Sequence, residues 1–473
     1  MNDSHEDLAP AVAHQTLPRV LGLFDATCII VGSIIGSGIF LKVGNVDQAL
    51  MKFGFLPIIG VWLFVGLVTL CGSLALAELG AMFPQAGGPY VYLRAAYGQM
   101  PAFLWAWTEF WVVRTGSVGA LACATILYLN AFLTSVSLGP VPAWGQATLA
   151  VAMILGLSAV NIMSTRWGAS VQNIATITKV VFLAGLIVLP FAMGKVQPAN
   201  LSPLWDGSDP TGLGKGLGLA LIAVFWPYDG WINLGPVAEE IREPQRNIPR
   251  AMVLGVLIVT LIYLGANFSY HLVLTMPHLA KTETAAPDVF KVLFGPIGSQ
   301  IAVVGIMCST FGATNSNMIT GPRIYFAASR DGLLPRFIER IHPRFRTPAN
   351  SIALQAVWTT LLTAAFYATT ENAKVAFDLI TEAVICAGLI FYSLTVAAVF
   401  VLRFKQPAAE RPYRTWGYPV TPALMIAVYA YAFVMQCISQ WNRIAWVLAL
   451  IAAGAVYYGV ASHWRRRVAA RTD

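Results

Sequence analysis

The stretch from Ile30 to Phe40 reads I-V-G-S-I-I-G-S-G-I-F and places helix breakers in the middle of an apolar segment. That segment runs over residues 24–44, which is long enough for a helix to cross a bilayer. Glycine weakens a helix interior, and serine bonds nearby backbone groups in competition with the helix. A membrane helix broken at mid-depth must satisfy the freed backbone groups in another way, often around a cavity or ligand. Close packing is the alternative, because small residues let helices approach one another.

The composition is that of a membrane protein. Of the 473 residues, 57% are hydrophobic and 11% are charged, whereas ordinary soluble domains carry about 25% charged residues. Long apolar segments recur along the chain, so we predict an all-α polytopic membrane protein with 12 transmembrane helices. The segments lie near residues 24–44, 55–83, 101–134, 143–163, 167–194, 213–239, 250–275, 297–328, 350–370, 374–402, 418–440 and 442–464. The first twenty residues are polar, and we expect no cleaved signal peptide among them.

The basic residues predict the orientation of the chain. With the N-terminus inside, 19 Lys and Arg residues lie in the tails and connections of the inner side, 8 lie in the outer connections and 3 lie within segments. This positive-inside bias places both termini in the cytoplasm and the protein in the cell membrane, inner or plasma. The same distribution explains the net charge of +8 without a nucleic-acid partner.

Two inner connections carry most of the charge. One runs from Glu239 to Arg246, and the other runs from Arg330 to Arg346. We expect both connections to anchor the protein at the membrane interface. A role in closing the inner side of a pathway is the alternative that the sequence leaves open.

The chain lacks the residue patterns of a membrane enzyme or a metal centre. Its six cysteines fall in apolar segments without CxxC spacing, and its six histidines are scattered. No HExxH motif, histidine-rich box or GxSxG motif with a partner histidine is present. We therefore predict that the protein is not an enzyme and needs no cofactor or metal.

A second interrupted helix lies in the sixth segment, where residues 225–231 read F-W-P-Y-D-G-W. Pro227 removes a backbone donor and disrupts the preceding turn, and Gly230 adds freedom to the chain. Asp229 places an ionisable group at membrane depth, which is unfavourable unless it faces a cavity or a partner. A simple proline kink is the alternative for this stretch taken by itself.

The two breaks are five helices apart, and their segments run in opposite directions. This spacing is typical of two five-helix repeats with inverted topology, whose discontinuous first helices meet near the midplane. Broken half-helices expose N–H groups and carbonyl oxygens, which together suit a zwitterion such as an α-amino acid. The predicted divisions are a cytoplasmic tail at 1–20, the first repeat at 21–199, the inverted second repeat at 200–403, two further helices at 404–464 and a basic cytoplasmic tail at 465–473.

Lys179 is a charged residue in the fifth segment. Snorkelling to the cytoplasmic face is one interpretation, because the segment begins near Arg166. The distance along a helix from Arg166 to Lys179 is roughly 20 Å, which is deep for a snorkelling side chain. A fixed ammonium that replaces a bound cation beside the broken helix is the other interpretation.

Two further segments carry polar groups. Glu109 and Arg114 in the third segment are five residues apart, which is poor spacing for a helical ion pair. That segment is also long enough to contain a broken or strongly tilted helix. The eighth segment carries a polar face. Hydrogen bonding between helices is one interpretation of this face, and a role in a binding site is the other. The residues of this face are Thr310, Thr314, Asn315, Ser316 and Asn317.

A set of motifs occurs in order along the chain at compatible spacing. They are GSIIGSGIF at 32–40, AELG at 77–80, PQAGGPYVYLR at 84–94, YDGW at 228–231 with the run through EE to IPR at 248–250, and SRDGLLP at 329–335. Together they resemble the L-amino-acid transporter family of the amino acid–polyamine–organocation (APC) superfamily, over most of the chain. The resemblance implies a LeuT-type 5+5 inverted repeat with discontinuous helices 1 and 6, and transport of L-amino acids.

The resemblance also implies a substrate site. The backbone that would hold the substrate carboxylate belongs to Ser37, Gly38 and Ile39. The carbonyls that would hold the α-ammonium belong to Ile34, Ile35 and Trp226. The gate and side-chain pocket would comprise Trp226, Tyr228, Asp229, Asn315 and Asn317. Lys179 aligns with a fifth-helix lysine that occupies a sodium-site position in relatives, which implies sodium-independent transport, usually by exchange.

The chain departs from the animal members of that family at one connection. Those members carry a cysteine between helices three and four that bonds a partner glycoprotein. Residues 135–143 here read S-V-S-L-G-P-V-P-A, without cysteine. We therefore expect a prokaryotic-type member that works as a monomer without a disulfide-linked heavy subunit.

We interpret the protein as a sodium-independent amino-acid exchanger that works by alternating access. A proton-coupled symporter of amino acids or polyamines is the second hypothesis, and a non-transporting amino-acid sensor is the third. Two roles stay open for Asp229: it favours polar or cationic substrate side chains, or it bonds the broken backbone. The sequence does not identify the amino acid carried.

Overall fold

The computed structural model describes residues 16–369 and 373–472, which form helices joined by short connections. In the first half the helices are α1 Leu23–Ile34, α2 Gly38–Leu41, α3 Val43–Leu50, α4 Phe55–Met82, α5 Pro89–Tyr97, α6 Gln99–Thr108, α7 Arg114–Ser135, α8 Ala143–Met163 and α9 Thr165–Ala192. In the second half they are α10 Pro210–Tyr228, α11 Pro244–Val273, α12 Met276–Leu279, α13 Ala285–Phe294, α14 Pro296–Arg330, α15 Ala349–Thr369, α16 Ala373–Lys405 and α17 Val420–Thr472.

The predicted number of membrane spans is confirmed. Within the described ranges, 12 helices or pairs of helix halves are long and apolar enough to cross a bilayer, from Leu23–Leu41 to Gln440–His463. The last two spans both belong to α17. They are divided at Gln440, whose φ of −142° and ψ of 39° are not helical.

The first and sixth spans are interrupted at the positions that their glycines and prolines indicate. In the first span α1 ends at Ile34, and α2 begins only at Gly38. In the sixth span α10 ends at Tyr228, and a 3₁₀ helix occupies Trp231–Glu240. Gly230 between these two parts has a φ of +100°, a left-handed conformation that glycine adopts without a side-chain clash. The inverted relation of the two halves stays a prediction.

Three long helices surround the first break. α1 packs against α9, α11 and α14, and the 3₁₀ helix of the sixth span packs against α1, α4, α11 and α14. Both breaks are therefore enclosed by helices rather than by lipid, as irregular backbone at membrane depth requires.

The expectation that Glu109 and Arg114 are poorly spaced for an ion pair is wrong. Residues Glu109–Val113 form a π-helix between α6 and α7. A π-helix bonds residue i to residue i+5, so residues five apart lie on one face. Accordingly, Arg114 Nε lies 2.9 Å from Glu109 Oε2 in a buried ion pair.

Candidate substrate site between the two helix breaks

The two breaks contact each other through their glycines. A Cβ added to Gly38 would lie 2.5 Å from the Cα of Pro227 in the sixth span. A Cβ added to Gly230 would lie 2.9 Å from the carbonyl carbon and oxygen of Ser33 in the first span. Each glycine thus lets its own break approach the backbone of the other. The close-packing interpretation of the glycine stretch therefore agrees with the structure, and the binding interpretation stays a prediction.

The first break leaves backbone donors without partners. The N–H groups of Ser37, Gly38 and Ile39 make no hydrogen bond within the described part of the chain. Ser37 and Gly38 line a small cavity between the breaks. Successive unpaired N–H groups form a concave site that suits an anion. The three residues predicted to hold a carboxylate therefore have unpaired backbone N–H groups, the donors that a bound carboxylate needs.

The carbonyl oxygens at the first break already accept hydrogen bonds. The Tyr263 hydroxyl in α11 lies 3.1 Å from Ile34 O and 2.9 Å from Pro227 O, so its one hydrogen is shared between a carbonyl of each break. Ile35 O accepts from Lys179 at 2.6 Å and from Ser309 Oγ at 3.2 Å. Ser309 Oγ has one hydrogen and lies closer to Gly36 O, at 2.8 Å, so Lys179 is the main donor to Ile35 O. Its predicted contact with a substrate ammonium stays a prediction.

Lys179 is buried beside the first break. Its Nζ donates to Gly32 O at 3.0 Å, to Ile35 O at 2.6 Å and to Ser309 O at 3.0 Å. The residue is 0% exposed, which excludes snorkelling to either face in this structure. Three carbonyl oxygens take up the three donors of an ammonium group. The side chain therefore joins the end of α1 to α14 through its amino group.

The cavity between the breaks has a volume of about 30 Å³. It is far smaller than the cavity of about 380 Å³ on the opposite face of the molecule. Several of the predicted site residues line it, and others from α7 and the 3₁₀ helix join them. The full lining is Ser33, Ile34, Gly36, Ser37, Gly38, Ser117, Leu121, Trp226, Asp229, Gly230, Asn233, Ala313 and Asn317.

Polar side chains on one wall of the cavity are held by neighbours. Asp229 Oδ1 accepts a hydrogen bond of 3.0 Å from the hydroxyl of Tyr392 in α16. Arg114 donates to the side-chain oxygens of Asn233 at 2.9 Å and of Asn317 at 2.5 Å. The cavity wall is therefore preorganised by groups outside the cavity.

Two predicted pocket residues point away from the cavity. Asn315 donates to Gly168 O and to Gln172 Oε1, both at 3.1 Å, and so joins α14 to α9. Tyr228 donates to Trp62 O at 3.0 Å in α4. Lys179 and the side chains of Ile35 and Ile39 also lie outside the small cavity. For these residues a direct substrate contact stays a prediction.

The face of the molecule that carries residue 16, here called the N-terminal face, has three ion pairs between its elements, one of which is fully buried. Glu239 pairs with Arg330 at 2.8 Å and accepts the backbone N–H of Leu17 at 2.7 Å. Glu240 pairs with Arg323 at 2.8 Å, with both side chains fully buried. The expectation of interfacial anchoring is wrong for Glu239 and Glu240, because both carboxylates face basic groups inside the protein.

A third ion pair on the N-terminal face involves the connection helix α5. Asp331 pairs with Arg94 and accepts a hydrogen bond of 2.5 Å from the Tyr90 hydroxyl. Burial, followed by the Asp331 carboxylate, raises the pKa of Tyr90 well above its usual value, so this hydroxyl stays a donor. The alternative of a role in closing this face therefore agrees with the observed contacts.

The opposite face has a cavity of about 380 Å³ that ends at Trp226. Trp226 lines both this cavity and the small one between the breaks, and its indole N–H lies 3.3 Å from Ser37 Oγ. It is thus the side chain that separates the candidate site from the opposite face. Glu382, which lines the larger cavity, is paired with Arg443.

Sequence reasoning missed Tyr263 and Ser309, which satisfy the carbonyls of the first break. Tyr263 sits in an ordinary apolar span, and Ser309 lies one residue before the polar run that the sequence indicated. Serine in a membrane helix usually bonds its own preceding turn. No local signal distinguishes these two residues, because their partners come from distant parts of the chain.

The chain belongs to the amino acid permease family of the APC superfamily, whose sequence profile matches residues 21–461. It is 31% identical to the serine/threonine exchanger SteT of Bacillus subtilis (strain 168), over 94% of this chain and 97% of SteT. It is 32% identical to the human b(0,+)-type amino acid transporter 1, over 95% of this chain and 89% of that protein. It is also 30% identical to the rabbit (Oryctolagus cuniculus) large neutral amino acids transporter small subunit 2, over 95% and 82%. The expected family is therefore confirmed.

Proposed function

We propose that this protein exchanges amino acids across the cell membrane without sodium, by alternating access of one site between the two breaks. The observation that carries the proposal is the set of three carbonyl contacts made by Lys179 Nζ. Carbonyl oxygens of a broken helix are the usual ligands of a coupling sodium ion in such transporters. A cation that is covalently attached cannot be released on either side. It therefore cannot supply the energy of a sodium gradient.

The proposed substrate is a zwitterionic amino acid. Its carboxylate would accept from the unpaired N–H groups of Ser37, Gly38 and Ile39. Its ammonium would lie at the carbonyl end of α1, with Ile34, Ile35 and Trp226 as the proposed acceptors. Because Tyr263 and Lys179 occupy two of these oxygens in the closed conformation, substrate entry must release or share those hydrogen bonds. The family relationship to amino-acid exchangers supports the same substrate class.

Counter-flow in proteoliposomes tests exchange. Uptake of a labelled amino acid should rise strongly when the vesicles contain unlabelled amino acid, and replacing sodium by choline should leave the rate unchanged. A thermal-shift screen over all amino acids and polyamines selects the substrate to label. Equal uptake into empty vesicles would contradict exchange, and loss of uptake in choline would contradict sodium independence.

Proton-coupled symport is the second candidate, and one observation favours it. The three hydrogen-bond partners of Lys179 in the described residues are neutral carbonyls, with no carboxylate among them. A buried ammonium without a counter-ion loses its proton more readily than one paired with a carboxylate. Under this mechanism, uptake into empty vesicles requires an imposed proton gradient. If no flux occurs but an amino acid binds, the sensor hypothesis gains support over both.

Asp229 is the proposed determinant of side-chain selection. One of its carboxylate oxygens accepts from Tyr392, and the residue lines the cavity. An acidic group in that position suits a cationic or a hydrogen-bonding substrate side chain. We expect Asp229→Asn to lower uptake of lysine relative to serine if the carboxylate binds a cation. An unchanged ratio of lysine to serine uptake would indicate that the carboxylate bonds the broken backbone instead.

The protein is proposed to work as a monomer without a disulfide-linked heavy subunit. The connection at residues 135–143 contains no cysteine, and the six cysteines, at 28, 71, 123, 308, 386 and 437, all lie within helices. Exchange by the purified chain alone, with a monomer mass by light scattering, is the expected result. A covalent partner retained on a non-reducing gel would contradict it.

Both termini and the N-terminal face are proposed to lie in the cytoplasm. The positive-inside bias of 19 against 8 basic residues supports this orientation. A cysteine introduced at Ser137 should react with an impermeant thiol reagent added to intact cells. One introduced at Arg340 should react only after the membrane is opened. The reverse pattern would contradict the orientation.

A further inference from the structure

Asp47 and His271 form a buried acid–imidazole pair on the side of the molecule opposite the N-terminal face. Asp47 lies in α3, which follows the outer half of the first span, and His271 lies in the last turn of α11. Asp47 Oδ1 is 2.9 Å from His271 Nε2, and both side chains are 0% exposed. Neither residue lines the candidate substrate site.

The hydrogen bonds of His271 require a proton between the two side chains. Its Nδ1 lies 2.8 Å from the carbonyl oxygen of Asn267, which can only accept, so Nδ1 carries a hydrogen. Its Nε2 faces a carboxyl oxygen, which has no hydrogen when ionised. Two lone pairs at 2.9 Å would repel each other, so a second proton must lie on Nε2 or on Oδ1.

The surroundings favour a proton on Asp47. The second carboxyl oxygen, Oδ2, is buried without a hydrogen-bond partner in the described residues. If Asp47 were ionised, this oxygen would carry negative charge without a partner. If Asp47 is a neutral acid, the oxygen is an uncharged carbonyl oxygen, whose burial is less unfavourable. Burial also raises the pKa of the Asp47 carboxyl above its usual value, although His271 acts in the opposite direction. A neutral acid that donates to a neutral imidazole satisfies this environment best.

Other titratable groups near the pair are already engaged or lie at the surface. Lys52 pairs with Asp209, both largely exposed, and His278 in α12 pairs with Asp288. Lys215 of α10, which also packs against α3, is exposed. His271 is the titratable group in direct contact with the Asp47 carboxyl.

The pair joins α3, which directly follows the second half of the first span, to α11. The residue before His271, Tyr270, donates its hydroxyl to Ile39 O at 3.4 Å, on the same half-helix that carries the unpaired amides. The rings of Phe55 and His271 are also in contact, with centroids 5.1 Å apart. A proton held by Asp47 thus contributes to the position of the backbone that forms the candidate carboxylate site.

We propose that Asp47 and His271 form a proton-binding site, in which Asp47 stays protonated at neutral pH and donates a hydrogen bond to His271. The ligand of this site is one proton, and the site does not depend on the substrate or on the coupling mechanism. The exposed His278–Asp288 pair, at 3.1 Å, is a matched pair with access to water. This pair serves as the control for the buried one.

Infrared spectroscopy of the purified protein at pH 8 tests the site directly. The carbonyl band of a protonated carboxyl should be present in the wild type, absent in Asp47→Asn and unchanged in the control Asp288→Asn. Amide variants of Glu109 and Asp229 first identify any bands from those two carboxyls. The proposal would be overturned if the remaining band were missing in the wild type or persisted in Asp47→Asn.

Thermal unfolding at different pH gives a second readout that needs no transport. Above about pH 6.5 the unfolded histidine is neutral and the unfolded aspartate ionised, so the folded pair holds one extra proton. Stability should therefore fall as pH rises, by up to about tenfold in the unfolding constant per pH unit. Asp47→Asn mimics the neutral acid, since its amide donates to Nε2, and should remove this component.

Two outcomes of that experiment contradict the proposal. One is a melting temperature of Asp47→Asn that falls between pH 7 and 9 as steeply as that of the wild type. The other is failure of Asp47→Asn to fold at pH 7, since an amide replaces a neutral acid but not an ionised carboxylate. The control Asp288→Asn should follow the wild type, because its pair is accessible to water rather than buried.

Discussion

The break in the first span and the break in the sixth span present different chemical groups to the candidate site. In the first, the groups that face the centre belong to the backbone: unpaired N–H groups at Ser37, Gly38 and Ile39, and carbonyls held by other helices. In the sixth, side chains face it, since Trp226 and Asp229 line the cavity. Backbone groups can bind what all amino acids share, whereas side chains can distinguish one from another.

This difference predicts two classes of variant. Changes at the first break should lower transport of every amino acid by a similar factor, because carboxylate and ammonium are common to all. Changes at the sixth break should alter the ratio between amino acids. Measuring each variant with a small and a large substrate separates the two classes.

The largest effect is expected where the breaks touch. Gly38→Ala places a methyl group 2.5 Å from the Cα of Pro227, a backbone atom that cannot move alone. Overpacking of this kind is unfavourable by about 1–3 kcal/mol, and we expect exchange to fall at least roughly tenfold for all substrates. The measurement is counter-flow per molecule of protein in the membrane.

Gly36→Ala is the matched control for that prediction. It lies two residues earlier in the same break, and its added Cβ would meet Ala313 at an ordinary 3.5 Å. Its exchange rate should stay within about twofold of the wild type. Equal loss in both variants would mean that the break tolerates no side chain, rather than that Gly38 contacts Pro227.

The second prediction removes the ammonium at the first break. Lys179→Ala removes the amino group that contacts three buried carbonyls, and a buried carbonyl left unpaired is unfavourable by about 1–3 kcal/mol. Exchange should fall roughly tenfold or more, with the amount of folded protein less affected. If Lys179 replaces a cation, added sodium should restore part of the activity of this variant.

The exposed Lys215 provides the control for Lys179, since Lys215→Ala changes the same residue type at the surface of α10. Its activity should be unchanged with and without sodium. A defect of Lys179→Ala that is confined to the amount of protein in the membrane would assign this lysine a structural role.

The third prediction concerns the link between the breaks. Tyr263→Phe removes a hydroxyl that bonds Ile34 O and Pro227 O, and we expect a loss of about 0.5–1.5 kcal/mol, roughly two- to tenfold in rate. Both small and large substrates should be affected alike. Tyr228→Phe, which loses one bond to Trp62 O outside the cavity, should lose less. A larger loss of exchange in Tyr228→Phe than in Tyr263→Phe would mean that the Tyr263 hydroxyl has no particular role in transport.

The smallest effect is expected at the sixth break. Trp226→Phe keeps an aromatic ring but loses indole volume and a weak 3.3 Å contact with Ser37. Overall exchange should change by no more than about threefold, because aromatic burial is largely retained. The ratio of large to small substrates should rise, since the added space lies against the substrate side chain. A uniform change for all substrates would assign Trp226 to the first class of variant.

Much of the fold could be predicted because its signals are local. Apolar length gave the 12 spans of the described chain, and glycine and proline at mid-span indicated both interruptions. The ion pair of Glu109 and Arg114 could not be predicted, because it depends on a π-helix that the residue spacing does not reveal. The burial of Glu239 and Glu240 also escaped prediction, since their basic partners lie 83 to 91 residues away.

The sequence by itself determined that this is a twelve-span helical membrane protein with helix-breaking residues in the middle of two spans. Hydrophobic length and backbone-breaking residues act within a few turns, so they need no partner to be interpreted. Only the tertiary structure decided that Gly38 meets Pro227, that Tyr263 joins the two breaks and that Lys179 reaches three carbonyls. A freed backbone group must find a partner, but its identity depends on which distant helix packs beside it.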